Sequence, residues 1–128
     1  MLSRARLFVT AMTVVLATGG CALGPKLEVP ITQNFSEPYT IQWVHAYRGK
    51  QGVEIWGKVR RGNYGHTHGH IHLEALTKSG EIIAKTDTYL PKMISHPFVG
   101  KSFYGELNVN DVTEVSRLLV EIRINPDP

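Results

Sequence analysis

The sequence predicts an all-β protein: a single antiparallel β-sandwich, Ig-like in architecture but without a disulfide, or a partly open barrel, with six to seven strands. Three observations predict this. From Tyr39 onward apolar and polar residues alternate with the two-residue period of half-buried strands, and no stretch follows the 3.6-residue period of a helix. Turn signals built on Gly, Asn and Ser separate the alternating runs. The half-polar faces suit antiparallel sheets, which pack one face on a core and leave the other to water. A chain of 128 residues is one domain's worth, and its 42% hydrophobic and 20% charged content excludes wholesale disorder. The paired cysteines of an Ig core are absent, because the chain has one Cys.

The strands follow in order. Ile41, Trp43, His45 and Tyr47 are expected on one face of the first, with Gln42 and Val44 on the other and Trp43 in the core. His45 is expected as a core or border histidine on that face. After the turn Gly49 to Gly52, Val53, Ile55 and Val59 share an inner face, while Glu54, Trp56, Lys58 and Arg60 point outward. The third strand sets Ile71, Leu73 and Ala75 inward and His70, His72 and Glu74 outward. Lys78-Ser79-Gly80 is a hairpin turn, with Gly supplying positive φ. Glu81 to Tyr89 is a fourth strand of ambiguous facing. Phe103, Leu107 and Val109 then alternate with Tyr104, Glu106 and Asn108. Leu118, Val120, Ile122 and Ile124 form the inner face of the last strand, opposite Glu121 and Arg123.

Ahead of this domain lies an address. Arg4 and Arg6 precede an uncharged, mostly apolar run, Leu7 to Leu16, followed by Ala17, Thr18, Gly19, Gly20 and Cys21. A basic start, a short apolar run and small residues before a cleavage point describe an exported bacterial protein. Ten residues are too few for a permanent span, which needs roughly 20. With its Cys directly after Gly-Gly, the segment resembles a bacterial lipoprotein signal, although Thr18 stands where that family prefers an aliphatic residue. The resemblance implies that Cys21 becomes the lipidated first residue, and that Ala22 after it directs the protein to the outer membrane, facing the periplasm. The alternative is plain secretion, with cleavage at a nearby small residue. The expected organisation is a signal peptide over residues 1–20, a lipid-anchored tether over 21–38 and the β domain over 39–128.

Loss of residues 1–20 removes Arg4 and Arg6, so 12 cationic residues face 11 acids and the formal charge falls from +3 to +1. A near-neutral exported domain has no electrostatic case for nucleic acid. Its expected partners are the membrane, through Cys21, and a protein of the envelope.

One local pattern carries chemistry. His66-Thr67-His68-Gly69-His70-Ile71-His72 places four of six histidines at alternate positions. On a strand such residues share a face about 6.5–7 Å apart, and their imidazoles can converge on one ion. His66, His68, His70 and His72 are therefore candidate ligands for Zn, Cu or Ni as divalent ions. Gly69 is expected to mark a bulge that re-aims His66 and His68. If the second and third strands pair, Glu74 and Glu54 become candidate outer partners of the site. With no thiol beyond Cys21, Met93 is the one thioether of the mature chain, so a soft Cu(I) site is disfavoured. The same histidines also read as a solvated, pH-responsive surface. Trp56, among charged neighbours, is a candidate anchor for a protein partner. No nucleophile elbow, His-Glu-x-x-His helix or phosphate-binding glycine loop is found. The sequence points to a non-enzymatic protein without an organic cofactor. Its two readings are an envelope lipoprotein that binds a divalent metal and an envelope interaction module.

Overall fold

The computed structural model describes residues 24–62, 68–93 and 99–124. Seven strands run in order: β1 (Ile31–Asn34), β2 (Tyr39–Gly49), β3 (Gly52–Arg61), β4 (His70–Leu76), β5 (Ile82–Tyr89), β6 (Lys101–Asn108) and β7 (Arg117–Arg123). A 3-10 turn, Val112–Glu114, precedes β7, and the Asp111 side chain accepts the Thr113 N–H at its start. The strands form a four-stranded sheet, β1-β7-β4-β5, and a three-stranded sheet, β2-β3-β6. The sheets face each other across one apolar core and do not close, which makes the domain a β-sandwich and excludes the barrel.

The two-residue period explains most of the layer. Ile71, Leu73 and Ala75 of β4 and Leu118 and Val120 of β7 are wholly buried, as are Val53, Ile55 and Val59 of β3. At Gly105 of β6 the sheets meet closely: a Cβ there would lie 2.3 Å from Leu73 Cδ1, so the absent side chain leaves room for Leu73 from the opposite layer. Strand β5, ambiguous from its residues, is oriented by pairing with β4. Leu73 faces Thr86 and Ile71 faces Thr88, so these threonines point inward and Lys85, Asp87 and Tyr89 outward. At that edge the Thr88 hydroxyl donates to the Tyr104 carbonyl at 2.7 Å, joining β5 to β6 without a backbone ladder.

Four expectations are corrected. The register of β2 on β3 shifts between Ile41 and Trp43, a bulge at Gln42 that reverses the facing of everything after it. Tyr39, Ile41, Val44 and Ala46 are buried, whereas Trp43, expected in the core, is 40% exposed. Ile124 lies beyond β7 and is exposed, not inward. Strands β3 and β4 do not pair: β3 lies between β2 and β6, and β4 between β7 and β5. Their connection crosses from one sheet to the other. Finally, the four-stranded sheet is not purely antiparallel, because β1 runs parallel to β7, Ile31 facing Leu118.

That parallel strand comes from the segment read as a tether. Leu27 is buried in the core, its N–H donates to the Ala46 carbonyl at 2.8 Å, and Val29 and Ile31 pack against the same cluster. Three prolines and the lack of sustained alternation hide this contribution in the sequence.

Leu27→Ala is expected to cost about 2–4 kcal/mol, the usual penalty for truncating a buried leucine, measured as a lower urea midpoint. Gly69 has φ +130° and a Cβ there would sit 2.1 Å from the Arg123 carbonyl oxygen, whereas at Gly62 the nearest neighbour would be 3.6 Å away. Gly69→Ala should therefore destabilise by roughly 1–3 kcal/mol and Gly62→Ala by under about 0.5 kcal/mol. Equal midpoints for the two variants would refute the close approach of β4 to β7.

Candidate functional site

The outer surface of the four-stranded sheet holds the histidines. Burial of Ile71, Leu73 and Ala75 forces His70, His72 and Glu74 to the opposite side of β4, flanked by both neighbouring strands. In register, His72 stands between Asp87 of β5 and Glu121 of β7, and His70 between Tyr89 and Arg123. These neighbours bury His72 to 6% exposure although it points away from the core.

Both ring nitrogens of His72 meet carboxylates. Nδ1 lies 2.7 Å from Asp87 Oδ1, and Nε2 lies 2.7 Å from Glu74 Oε2. A neutral imidazole has one N–H and one bare nitrogen, so it donates to one carboxylate only. Both bonds form together when the ring carries two protons, or when a carboxyl group holds one of them. His70 Nε2 approaches the same Asp87 Oδ1 at 3.6 Å. Glu121 is engaged elsewhere, accepting from Arg123 Nε at 2.7 Å. The hydrogen bond from His72 holds the Asp87 carboxyl below its ordinary range. Burial opposes it as the second-largest effect, and the charges of His70, His72 and Arg123, each smaller than burial, act with the hydrogen bond.

The other predicted ligands are placed differently. His68 precedes the strand and is separated from it by Gly69 at positive φ, where the sequence predicts a bulge; its backbone N–H meets the buried Tyr39 hydroxyl at 3.3 Å. His66 and Cys21 lie outside the described residues. Glu54 belongs to β3 in the other sheet and points away from the histidines, so it cannot join them. Met93 is buried in the core. Among the described residues, no group of three or more His, Cys, Asp or Glu is set as a ready metal cage. Sequence reasoning missed Asp87, because its place beside His72 depends on how β5 pairs with β4. The only available signal was the hairpin turn between those strands.

The outer surface of the three-stranded sheet is aromatic. His45, Trp56 and Tyr104 lie side by side on β2, β3 and β6, and Trp43 and Lys58 form the next row. Trp56 and Tyr104 are tilted with ring centroids 4.5 Å apart, and Trp43 stacks on His45 at 5.2 Å. Trp43 and Tyr104 are 40% exposed and Trp56 36%. Burial raises the Tyr104 phenol above its ordinary range, with Glu106 and Glu54 adding to the effect. Trp56 thus has aromatic neighbours that the sequence did not reveal.

Fold and surfaces together define an all-β sandwich with a charged histidine face and an aromatic face on opposite sides. Comparison of the chain with protein-family models, curated proteins and solved structures finds no match.

Two outcomes are expected. A carboxylate whose folded pKa is depressed stabilises the fold above its unfolded value, and that contribution disappears as pH falls through the folded value. For Asp87 the loss should start near its ordinary value of 3.8 and continue below it. Urea unfolding of the wild type should accordingly weaken more steeply below about pH 4 than that of Asp87→Asn. Parallel profiles would remove the His72–Asp87 bond from the folded state. His72→Ala, which strands the largely buried Glu74 carboxylate, should cost about 2–4 kcal/mol, against less than about 1 kcal/mol for the partly exposed His70→Ala.

Proposed function

We propose that this protein is a small, non-catalytic envelope lipoprotein, held to the periplasmic side of the outer membrane by acylated Cys21. Its β-sandwich docks a protein partner of the envelope through the aromatic face of β2, β3 and β6. The observation that carries this reading is one aromatic strip: Trp56 packs on Tyr104 and stands beside His45, on which Trp43 stacks, and the two tryptophans and Tyr104 remain 36–40% exposed on the outside of a sheet. Isolated exposed apolar residues are ordinary, but adjoining large aromatics match the anchors that dominate binding energy in protein interfaces. Glu54 and Glu106 on one side and Lys58 on the other supply a charged rim able to set orientation.

The aromatic face is favoured over a four-histidine site because, among the described residues, His70 and His72 are the histidines that share the β4 face, and Glu54 lies on the opposite surface. The basic start, short apolar run and Gly-Gly-Cys of residues 1–21 support the lipid anchor. Two or more acyl chains make such an anchor stable, at about 0.8 kcal/mol per buried CH₂.

The test places a photo-crosslinking amino acid at Trp43, Trp56 or Tyr104 of the full chain in the native cell, and at Glu121 on the opposite face as a control. One discrete adduct from the aromatic positions alone is expected. Trp56→Ala should weaken binding of the identified partner at least about 30-fold, a loss of roughly 2 kcal/mol, with an unchanged unfolding midpoint. Adducts from both faces alike, or from neither, would reject the docking face. Mass spectrometry of the membrane fraction should find an acylated Cys21, and an unmodified periplasmic form would reject the anchor.

A further inference from the structure

Two imidazole nitrogens approach one carboxylate oxygen on the outer face of β4 and β5. His70 Nε2 and His72 Nδ1 lie 3.6 and 2.7 Å from one atom, Asp87 Oδ1. We infer that these three atoms form a binding site for one divalent transition ion, with Glu74 orienting the His72 ring from behind. The site is independent of the aromatic face, which lies on the other side of the sandwich.

The distances set the cost of assembly. Ligands at roughly 2.0–2.1 Å from a tetrahedral ion stand about 3.3 Å apart. The His72–Asp87 separation must therefore widen by about 0.6 Å and the His70–Asp87 separation close by about 0.3 Å around an ion of that size. Both shifts are within the range of side-chain rotation. The Asp87 side chain is 59% exposed and belongs to a strand at the end of its sheet, and the His70 side chain is 33% exposed, so both have room to rotate. The ion replaces the hydrogen bond between His72 and Asp87 with one bond to each.

His72 is already fixed in the required pose. Its Nε2 is bonded to Glu74 Oε2 at 2.7 Å, which leaves Nδ1 directed at the site. A carboxylate behind a ligating histidine selects the tautomer that frees the other nitrogen and raises its basicity. With His72 and Glu74 both largely buried, the pair loses little further freedom when the ion binds. Two imidazoles and one carboxylate, with no thiolate or thioether at the site, select Zn²⁺, Cu²⁺ or Ni²⁺ over Ca²⁺, Mg²⁺ or Cu⁺. Arg123 lies in register beside His70, but its guanidinium is paired with Glu121, which limits its repulsion of the ion.

The test uses the untagged full chain in detergent, titrated with Zn²⁺ alone by calorimetry and with Co²⁺ as a coloured stand-in whose visible absorption reports coordination number. One equivalent bound in a low-coordinate Co²⁺ environment is expected. His70→Ala and Asp87→Asn, both at partly exposed positions, should each abolish it. Glu74→Gln should weaken it roughly 10–100-fold while keeping the stoichiometry, as an orienting partner does. The double variant His66→Ala with His68→Ala should bind like the wild type. Failure of the full chain to bind Zn²⁺, or binding that survives His70→Ala and Asp87→Asn, would overturn the site. Loss confined to the His66/His68 variant would do the same, by moving the ligands to the loop.

Discussion

The arrangement of both surfaces depends on the burial of β4. Ile71, Leu73 and Ala75 have no exposed area, and the strand sits between two others in its sheet. Because a strand's side chains alternate strictly, a slip of one residue would exchange these three for His70, His72 and Glu74. Burying that polar set in an apolar core without its partners would cost several kilocalories per mole, so the register is strongly specified. The core therefore fixes His72 indirectly. It is held on the outer face, where the strands on both sides of β4 shield its ring, and the carboxylates of Asp87 and Glu74 satisfy it there.

The three-stranded sheet shows how a single local irregularity can decide what a surface is made of. Without the bulge at Gln42, alternation would send Trp43, His45 and Tyr47 into the core and Val44 and Ala46 to solvent. With it, Val44 and Ala46 are buried and the aromatic side chains join Trp56 and Tyr104 outside. The bulge keeps both halves of β2 useful: Tyr39 and Ile41 on one side of it and Val44 and Ala46 on the other all reach the core. The buried Tyr39 also organises the loop ahead of β4. Its ring lies 5.9 Å from the Arg61 guanidinium and its hydroxyl meets the His68 N–H, which ties His68 to β2.

The N-terminal segment links the fold to the proposed anchor. Pairing of Lys26 with Tyr47, the buried Leu27 and the parallel β1 lock the chain to the sandwich from its first described residues. Three residues separate Cys21 from Lys26's neighbour Pro25, a reach of at most about 14 Å. With acyl chains on Cys21, the domain would be held against the bilayer surface rather than on a long flexible lead. A partner for the aromatic face would then have to approach close to the membrane.

Period-two alternation by itself determined the all-β class and the inner faces of β3, β4, β6 and β7, because each of those strands has one face whose apolar residues must leave water. It also placed His70 and His72 on one outer face. Three things required the tertiary structure. The Gln42 bulge has no signature in alternation, since one inserted residue only exchanges the two faces. The N-terminal strand is short and interrupted by prolines, and its place is set by β7. The identity of the groups around His72 is a matter of strand order. Asp87 reaches it, and Glu54 does not, because β4 pairs with β5 and β7 while β3 belongs to the opposite layer. A sequence records which residues share a strand face. Which strands lie side by side is decided by how the whole core closes, through contacts between residues far apart in the chain.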